Sequence, residues 1–219
     1  MKALVCIDRD GTINLDENYY LGSSKSWKKQ VEIIEGVVEG IRSLNDNGIK
    51  PFILTNQSGV ALRGRDFDDL TEERMHEVNN HILDLLSSQN AFVAGYFACP
   101  FVDLSYVEKA RLKGRDVNSE YVDDSSWDLK PRIGMVEKAA RSLGMSLENL
   151  AVYVIGDRKS DVELGLNAGG KGILVASQKT VELGDVKKVN KLSLAHSGKI
   201  YVARNFLEAT KYIISDLRN

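Results

Sequence analysis

Cysteine is nearly missing from this chain: among 219 residues only Cys6 and Cys99 carry thiols, far apart and each beside apolar neighbours. Two such thiols make no disulfide framework, and a reducing cytoplasm is the expected compartment. Long apolar runs are lacking as well. The run at residues 3–7 ends at Asp8, too short for a signal-peptide core, and no later run approaches a membrane span. Nor does charge of one sign dominate, with 29 Lys plus Arg against 31 Asp plus Glu and a formal net charge of -2. That balance leaves no electrostatic footprint for nucleic acid. Of the three histidines, His76 and His81 fall on one predicted helix at poor spacing for a shared metal. No internal repeat or low-complexity tract is present. The expectation is a soluble cytoplasmic protein, monomer or small homo-oligomer, forming a single domain over residues 1–219, with neither membrane nor nucleic acid as a partner.

What is present is an alternation of strand-like and helical patterns. Residues 3–7 read as a buried strand, as do residues 51–54, 92–98, 151–155, 173–175 and 200–203. Between them, Val37, Val38, Ile41 and Leu44 recur at helical spacing and stop at Gly48. A helix from about Thr71 carries Met75, Val78, Ile82, Leu85 and Leu86 on one face, with Glu72 and Glu73 in its first turn. Further helices are predicted within residues 131–144, from about Ser160, and from about Asn205. Val- and Ile-rich strands separated by helices predict an α/β fold: a doubly wound, mainly parallel sheet covered on both faces. Residues 100–129 are rich in charge and Ser and lack sustained periodicity, which predicts an irregular, flap-like insertion.

Chemistry gathers at the predicted carboxyl ends of the strands, where such sheets bind ligands. Asp8-Arg9-Asp10-Gly11-Thr12-Ile13-Asn14 sets two carboxylates one residue apart directly after the first strand. Such a pair can bind a hard divalent cation, attack an electrophile and exchange a proton. Thr55-Asn56-Gln57-Ser58-Gly59 follows the second strand, Lys130-Pro131 stands after the long insertion, and Gly156-Asp157-Arg158-Lys159-Ser160-Asp161 follows the fourth strand. Singly, the acids also suit turns or a helix start, where carboxylates are favoured.

In this order the four segments resemble the four motifs of the haloacid dehalogenase (HAD) superfamily of phosphohydrolases. The resemblance runs from Ala3 to about Val175, and Asp-Arg-Asp-Gly-Thr-Ile-Asn with Thr-Asn-Gln-Ser-Gly-Val is most similar to the heptose bisphosphate and histidinol-phosphate phosphatases. It implies a HAD-like Rossmannoid fold with a minimal cap and a small phosphate ester as substrate. By resemblance Asp8 is a nucleophile that forms an aspartyl-phosphate, and Asp10 is the general acid–base. Asp8 and Asp157, with the Asp10 backbone carbonyl, would hold Mg²⁺, supported from behind by Asp161. Thr55, Asn56 and Lys130 would bind the phosphoryl oxygens. Arg9, Asp16, Asn18, Tyr19, Gln57, Ser58 and Arg158 would face the substrate.

One stretch departs from that pattern. The related enzymes commonly place a zinc loop before the motif lysine, with Cys-Pro-x-His and then Cys-x-Cys-Arg-Lys-Pro. Here Cys99-Pro100 is followed by Phe101-Val102, the later thiol positions hold Ser126 and Asp128, and Leu129 stands for the arginine. One cysteine makes no tetrahedral thiolate site, so zinc is not expected. Within residues 100–129, Tyr106, Tyr121 and Trp127 are expected to pack. Four functions follow from the resemblance: a phosphatase for a sugar phosphate such as heptose 1,7-bisphosphate, a histidinol-phosphate phosphatase, a polynucleotide 3′-phosphatase, or a catalytically weak binding protein.

Overall fold

The computed structural model describes residues 2–16 and 20–218. Strand β1 (Lys2–Ile7) leads to helix α1 (Val37–Asp46), and β2 (Phe52–Asn56) to the two-residue strand β3 (Leu62–Arg63) and helix α2 (Glu72–Ser88). Then come β4 (Gly95–Cys99), α3 (Leu104–Leu112), the short β5 (Asp116–Val117) and α4 (Gly134–Ser142). The second half runs β6 (Leu150–Gly156), α5 (Lys159–Asn167), β7 (Lys171–Val175), α6 (Gln178–Glu182), α7 (Asp185–Ala195), β8 (Ile200–Ala203) and α8 (Phe206–Asp216).

Six strands form one parallel sheet in the order β4-β2-β1-β6-β7-β8. The chain leaves β1 toward β2 on one side and leaves β6 toward β7 on the other. The topological switch therefore lies between β1 and β6, where a crevice opens at the carboxyl edge. Register sets Ile7 level with both Ile53 and Ile155. Asp8, Thr55 and Asp157 thus emerge within one residue of the same level.

Alternation along the strands divides the core. Val5, Ile7, Ile53, Tyr153 and Ile155 face one layer with Ile41 and Leu44 of α1, Ile82 and Leu86 of α2, and Phe206 and Ile213 of α8. Leu4, Cys6, Leu54, Val152 and Val154 face the other with Met135, Val136 and Ala139 of α4 and Leu164 of α5. Helix starts follow side-chain chemistry: Thr71 accepts from the Arg74 amide and Asn205 from the Glu208 amide. No described helix is long and apolar enough to cross a membrane.

Three differences from the sequence reading have physical causes. Residues 100–129 were expected to be irregular, yet they contain α3, capped by the Asp103 side chain, and β5, which pairs antiparallel with β3. The helix escapes a periodicity search because its buried side is a single Ala110, while Leu104 and Leu112 are exposed. Trp127, expected to pack, is 53% exposed and donates its indole N–H to Glu137 at 3.0 Å. Helices α6 and α7 were also not foreseen; the interior face of α7 is little more than Val189.

Candidate active site

Asp8 extends β1 by one residue, its amide bonding the Ile155 carbonyl at 2.8 Å. The chain then turns tightly, with the amides of Ile13 and Asn14 donating to the Arg9 carbonyl. Gly11 makes this possible at a φ of +83°, and a Cβ there would lie 2.5 Å from Asp157 Oδ2. Close approach of two strand ends thus demands glycine.

Lys130 is buried at the centre. Its ammonium donates to Asp8 Oδ1 and Asp161 Oδ1, both at 2.6 Å, and to the Leu54 carbonyl at 3.1 Å. All three protons are used. Burial alone would favour the neutral amine, but Asp161 and Asp8 outweigh it and raise the lysine's pKa. The Asp161 Oδ2 accepts from the Arg158 amide at 3.0 Å, so both its oxygens are engaged.

Asp8, Asp157 and Asp161 each bring a carboxylate oxygen within 4.8 Å of the others. One buried ammonium faces three carboxylates. Desolvation accordingly drives the Asp8 carboxyl well above the usual range despite Lys130, with Asp161 and Asp157 adding to the rise. Desolvation likewise pushes Asp157 up to about 7, although Ser177 donates to its Oδ2 at 2.6 Å. The Asp157 Oδ1 is buried without a hydrogen-bond partner. Hard oxygen donors, surplus negative charge and an orphaned oxygen fit a divalent cation such as Mg²⁺.

Asp10 is gripped differently. Arg9 holds both its oxygens, at 3.0 and 2.7 Å, while Gln57 and Asn14 donate to it at 2.8 and 3.1 Å. Burial would raise its pKa, but the Arg9 guanidinium and these donors lower it overall. Gln57 also donates to Thr55 Oγ1 at 2.7 Å and accepts from Arg9 at 2.8 Å. Arg9 is only 1% exposed, and its remaining fork bonds Asn79 of α2 at 3.0 Å. Expected at the substrate, Arg9 does line the cavity, with its guanidinium bonded to protein groups.

Asn56, expected on phosphate, likewise has its side chain against the Lys130 backbone, accepting from its amide at 3.1 Å. Arg158 does reach the cavity, oriented by Asp185 at 3.1 Å. Asp16 lines it too, paired with Lys179 at 2.7 Å, and Ser58 lies beside the Tyr106 hydroxyl. Asn18 and Tyr19 lie outside the described residues. Sequence reading missed Asn79, Ser177, Thr180 and Asp185. A Ser-x-x-Thr after β7 was the available signal for two of them: it caps α6, and Thr180 Oγ1 bonds the Asp157 carbonyl at 2.6 Å.

These groups surround a cavity of about 640 Å³ above the switch point. Comparison with known proteins gives that geometry a family. A HAD-hydrolase-like family model matches residues 129–209, which include Lys130, Asp157 and Asp161. The D-glycero-beta-D-manno-heptose-1,7-bisphosphate 7-phosphatase of Pseudomonas putida is 30% identical over 188 residues, 84% of this chain and 89% of that protein. The chain belongs to the HAD phosphatases. The D-glycero-D-manno-heptose-1,7-bisphosphate 7-phosphatase of Thermosynechococcus vestitus is 29% identical over 218 residues, 99% of this chain and 97% of its own length. Among solved structures, the D,D-heptose 1,7-bisphosphate phosphatase of B. bronchiseptica, crystallised with magnesium and phosphate, aligns with a TM-score of 0.65 and 22% identity. That alignment covers 99% of each chain, a likeness of fold. For a HAD phosphatase the reaction is phosphate-ester hydrolysis.

Proposed function

We propose that this HAD phosphatase is Mg²⁺-dependent and removes a phosphoryl group from a small sugar bisphosphate, heptose 1,7-bisphosphate in the first instance. The observation that carries the reading is the Asp8–Lys130–Asp161 bridge beside the unpartnered Asp157 Oδ1. Asp8 Oδ2, free of the lysine, attacks phosphorus while the bond to the leaving oxygen breaks, and that oxygen takes a proton from Asp10. Water then attacks the aspartyl-phosphate at phosphorus, Asp10 accepts its proton, and inorganic phosphate leaves with Asp8 regenerated. Arg9 favours the ionised form of Asp10 that this second half uses. A phosphoryl group entering nearby adds negative charge, which raises the affinity of Asp10 for the proton the first half needs. The Thr55 hydroxyl donates to a phosphoryl oxygen as charge redistributes, and Lys130, still held by Asp161, turns the proton it gives Asp8 Oδ1 toward the phosphoryl group. Asp8 and Asp157 would hold Mg²⁺, which when bound shields one anion from another.

The relatives' names support heptose 1,7-bisphosphate as substrate. Histidinol phosphate suits the cavity less, because its amine is a cation and the wall formed by α3 and the turn into β5 carries Lys109, Lys113 and Arg115. We also propose that no zinc is bound. Cys99 Sγ lies 3.8 Å from Ser126 Oγ, a thiol and a hydroxyl where a cluster of thiolates would be required. Turnover of the two substrates with Mg²⁺ tests the choice: heptose 1,7-bisphosphate is expected to exceed histidinol phosphate in kcat/KM, and the reverse order overturns it. Metal analysis is expected to find no stoichiometric zinc.

A further inference from the structure

Seven cationic side chains line the cavity, and they fall into two groups. Arg9 is paired with Asp10, Lys130 with Asp8 and Asp161, Arg158 with Asp185, and Lys179 with Asp16. The other three are Lys109, Lys113 and Arg115. Among the described residues none of them has a carboxylate partner, and all come from the short stretch that builds α3 and leads into β5. We infer that α3 and the turn after it form a second anion subsite, which holds the phosphate of a bisphosphate substrate that is not cleaved.

The helix is built the wrong way round for packing. Tyr106, Lys109, Ala110 and Lys113 stand at i, i+3, i+4 and i+7, the stripe that a surface helix normally fills with apolar residues. All four line the cavity. Apolar Leu104 and Leu112 lie outside the stripe and are exposed. A face that borders a half-open cavity and carries two exposed ammonium groups serves an anionic ligand better than a core.

Arg115 is fixed in advance. Its guanidinium lies over the rings of Tyr20 and Phe67, 5.4 and 5.6 Å from their centroids, and donates to the Tyr20 hydroxyl at 3.0 Å. That hydroxyl is 3.3 Å from the Tyr106 hydroxyl, which ties the arginine to the helix. A planar fork held by two rings presents its donors with little entropy left to lose, and such a fork matches phosphate geometry. Pairing of β3 with β5 anchors the stretch to the loop after β2, so the subsite moves with the wall of the cavity. In the proposed reading the floor binds one phosphoryl group between Lys130 and Thr55; a second phosphate in the same cavity calls for further cations, and among the described residues that line it those without a carboxylate partner lie on this wall.

The inference rests on the bisphosphate reading, and the test separates the two. Wild type, Lys109→Ala/Lys113→Ala and Lys109→Arg/Lys113→Arg are assayed with Mg²⁺ on heptose 1,7-bisphosphate and heptose 7-phosphate. Fructose 1,6-bisphosphate and fructose 6-phosphate form a second pair. The readout is the ratio of kcat/KM for each bisphosphate to its monophosphate, with thermal melts to establish that the variants fold. The alanine variant is expected to lower that ratio at least about tenfold, as for loss of hydrogen bonds to a charged group. The arginine variant is expected to keep it. Wild type that favours heptose bisphosphate, with the ratio intact in a folded alanine variant, overturns the subsite and leaves the substrate reading standing. Wild type that ignores both heptose esters but favours fructose 1,6-bisphosphate, with the ratio lost in the alanine variant, does the opposite. No preference for a second phosphate in either pair overturns the subsite.

Discussion

At the residue scale the floor of the site holds Lys130 between Asp8 and Asp161 and Arg9 against Asp10, while Asp157, the third carboxylate of the cluster, has no ion-pair partner among the described residues. Arg9 illustrates how far orientation can differ from sequence position. It follows Asp8 directly, yet its guanidinium turns back to clamp Asp10 and is itself braced by Asn79. Replacing it by methionine breaks a buried pair, and a loss of about 3–5 kcal/mol in stability is expected from chemical denaturation. In the same variant Asp10 loses the cation that most lowers its pKa and keeps only the Gln57 and Asn14 donors against burial. The alkaline limb of the pH–rate profile should therefore move upward; an unmoved limb would separate Arg9 from the proton transfer. That Asp8, Thr55 and Asp157 come together was legible in the sequence because strand ends fix where a short side chain emerges, whereas Lys130 stands in the turn before α4 and reaches Asp8 through its length. Arg9 and Asn56 line the cavity, but their side chains also bond partners 70 and 74 residues away, which sequence position does not disclose. Asn79, Ser177 and Asp185 were illegible for the same reason: each matters only through a contact that the fold creates.

At the scale of elements, the four segments depend on how tightly loops can approach one another. Gly156 ends β6, and a Cβ there would stand 2.3 Å from Asp161 Cγ. Gly156→Ala must therefore displace the carboxylate that shares Lys130 with Asp8. A cost of about 1–3 kcal/mol in thermal or denaturant melts is expected from overpacking. Activity should fall with it, because the lysine loses one of its two anionic anchors. The segment before Lys130 is held by ordinary polar contacts: Cys99 with Ser126, Asp128 with Lys138, and the Gly134 amide with the Trp127 carbonyl at 3.0 Å. The long strands and α1, α2, α4 and α8 were readable because each buries a broad apolar face. Helices α3 and α7 were not, since one turns lysines toward a cavity and the other buries little more than one valine.

At the scale of the whole molecule, two apolar layers clamp a sheet whose switch point is loaded with carboxylates. Phe206 joins α8 to α1, its ring lying where a Cβ on Gly40 would stand at 2.7 Å. Phe206→Ala should cost about 3–5 kcal/mol by denaturant melts, with kcat little changed in the folded fraction, because it lies in the core away from the cavity. The carboxylates predict an unusual pH dependence. Asp157 rises from the usual 3.8 to about 7 on folding, and Asp8 moves the same way. Their protonated forms favour the folded state, so that contribution is complete below about pH 4 and is lost as pH rises through about 7. Metal-free protein should therefore melt at a lower temperature at pH 8 than at pH 5. Added Mg²⁺, which binds the ionised carboxylates, should raise the melting temperature more at pH 8 than at pH 5. Equal Mg²⁺ effects at both pH values would mean that these aspartates do not hold the ion.

Everything proposed for the chemistry passes through one oxygen atom of Asp8. The most direct test is the rate of phosphate release from heptose 1,7-bisphosphate, with Mg²⁺ present, by wild type and by Asp8→Asn. The substitution keeps the size of the side chain and an acceptor for Lys130 but removes the nucleophile. Turnover should fall on the order of 10³-fold or more, as when other covalent catalysts lose theirs, in a protein that still melts cooperatively. A folded Asp8→Asn variant that releases phosphate at the wild-type rate would contradict the account.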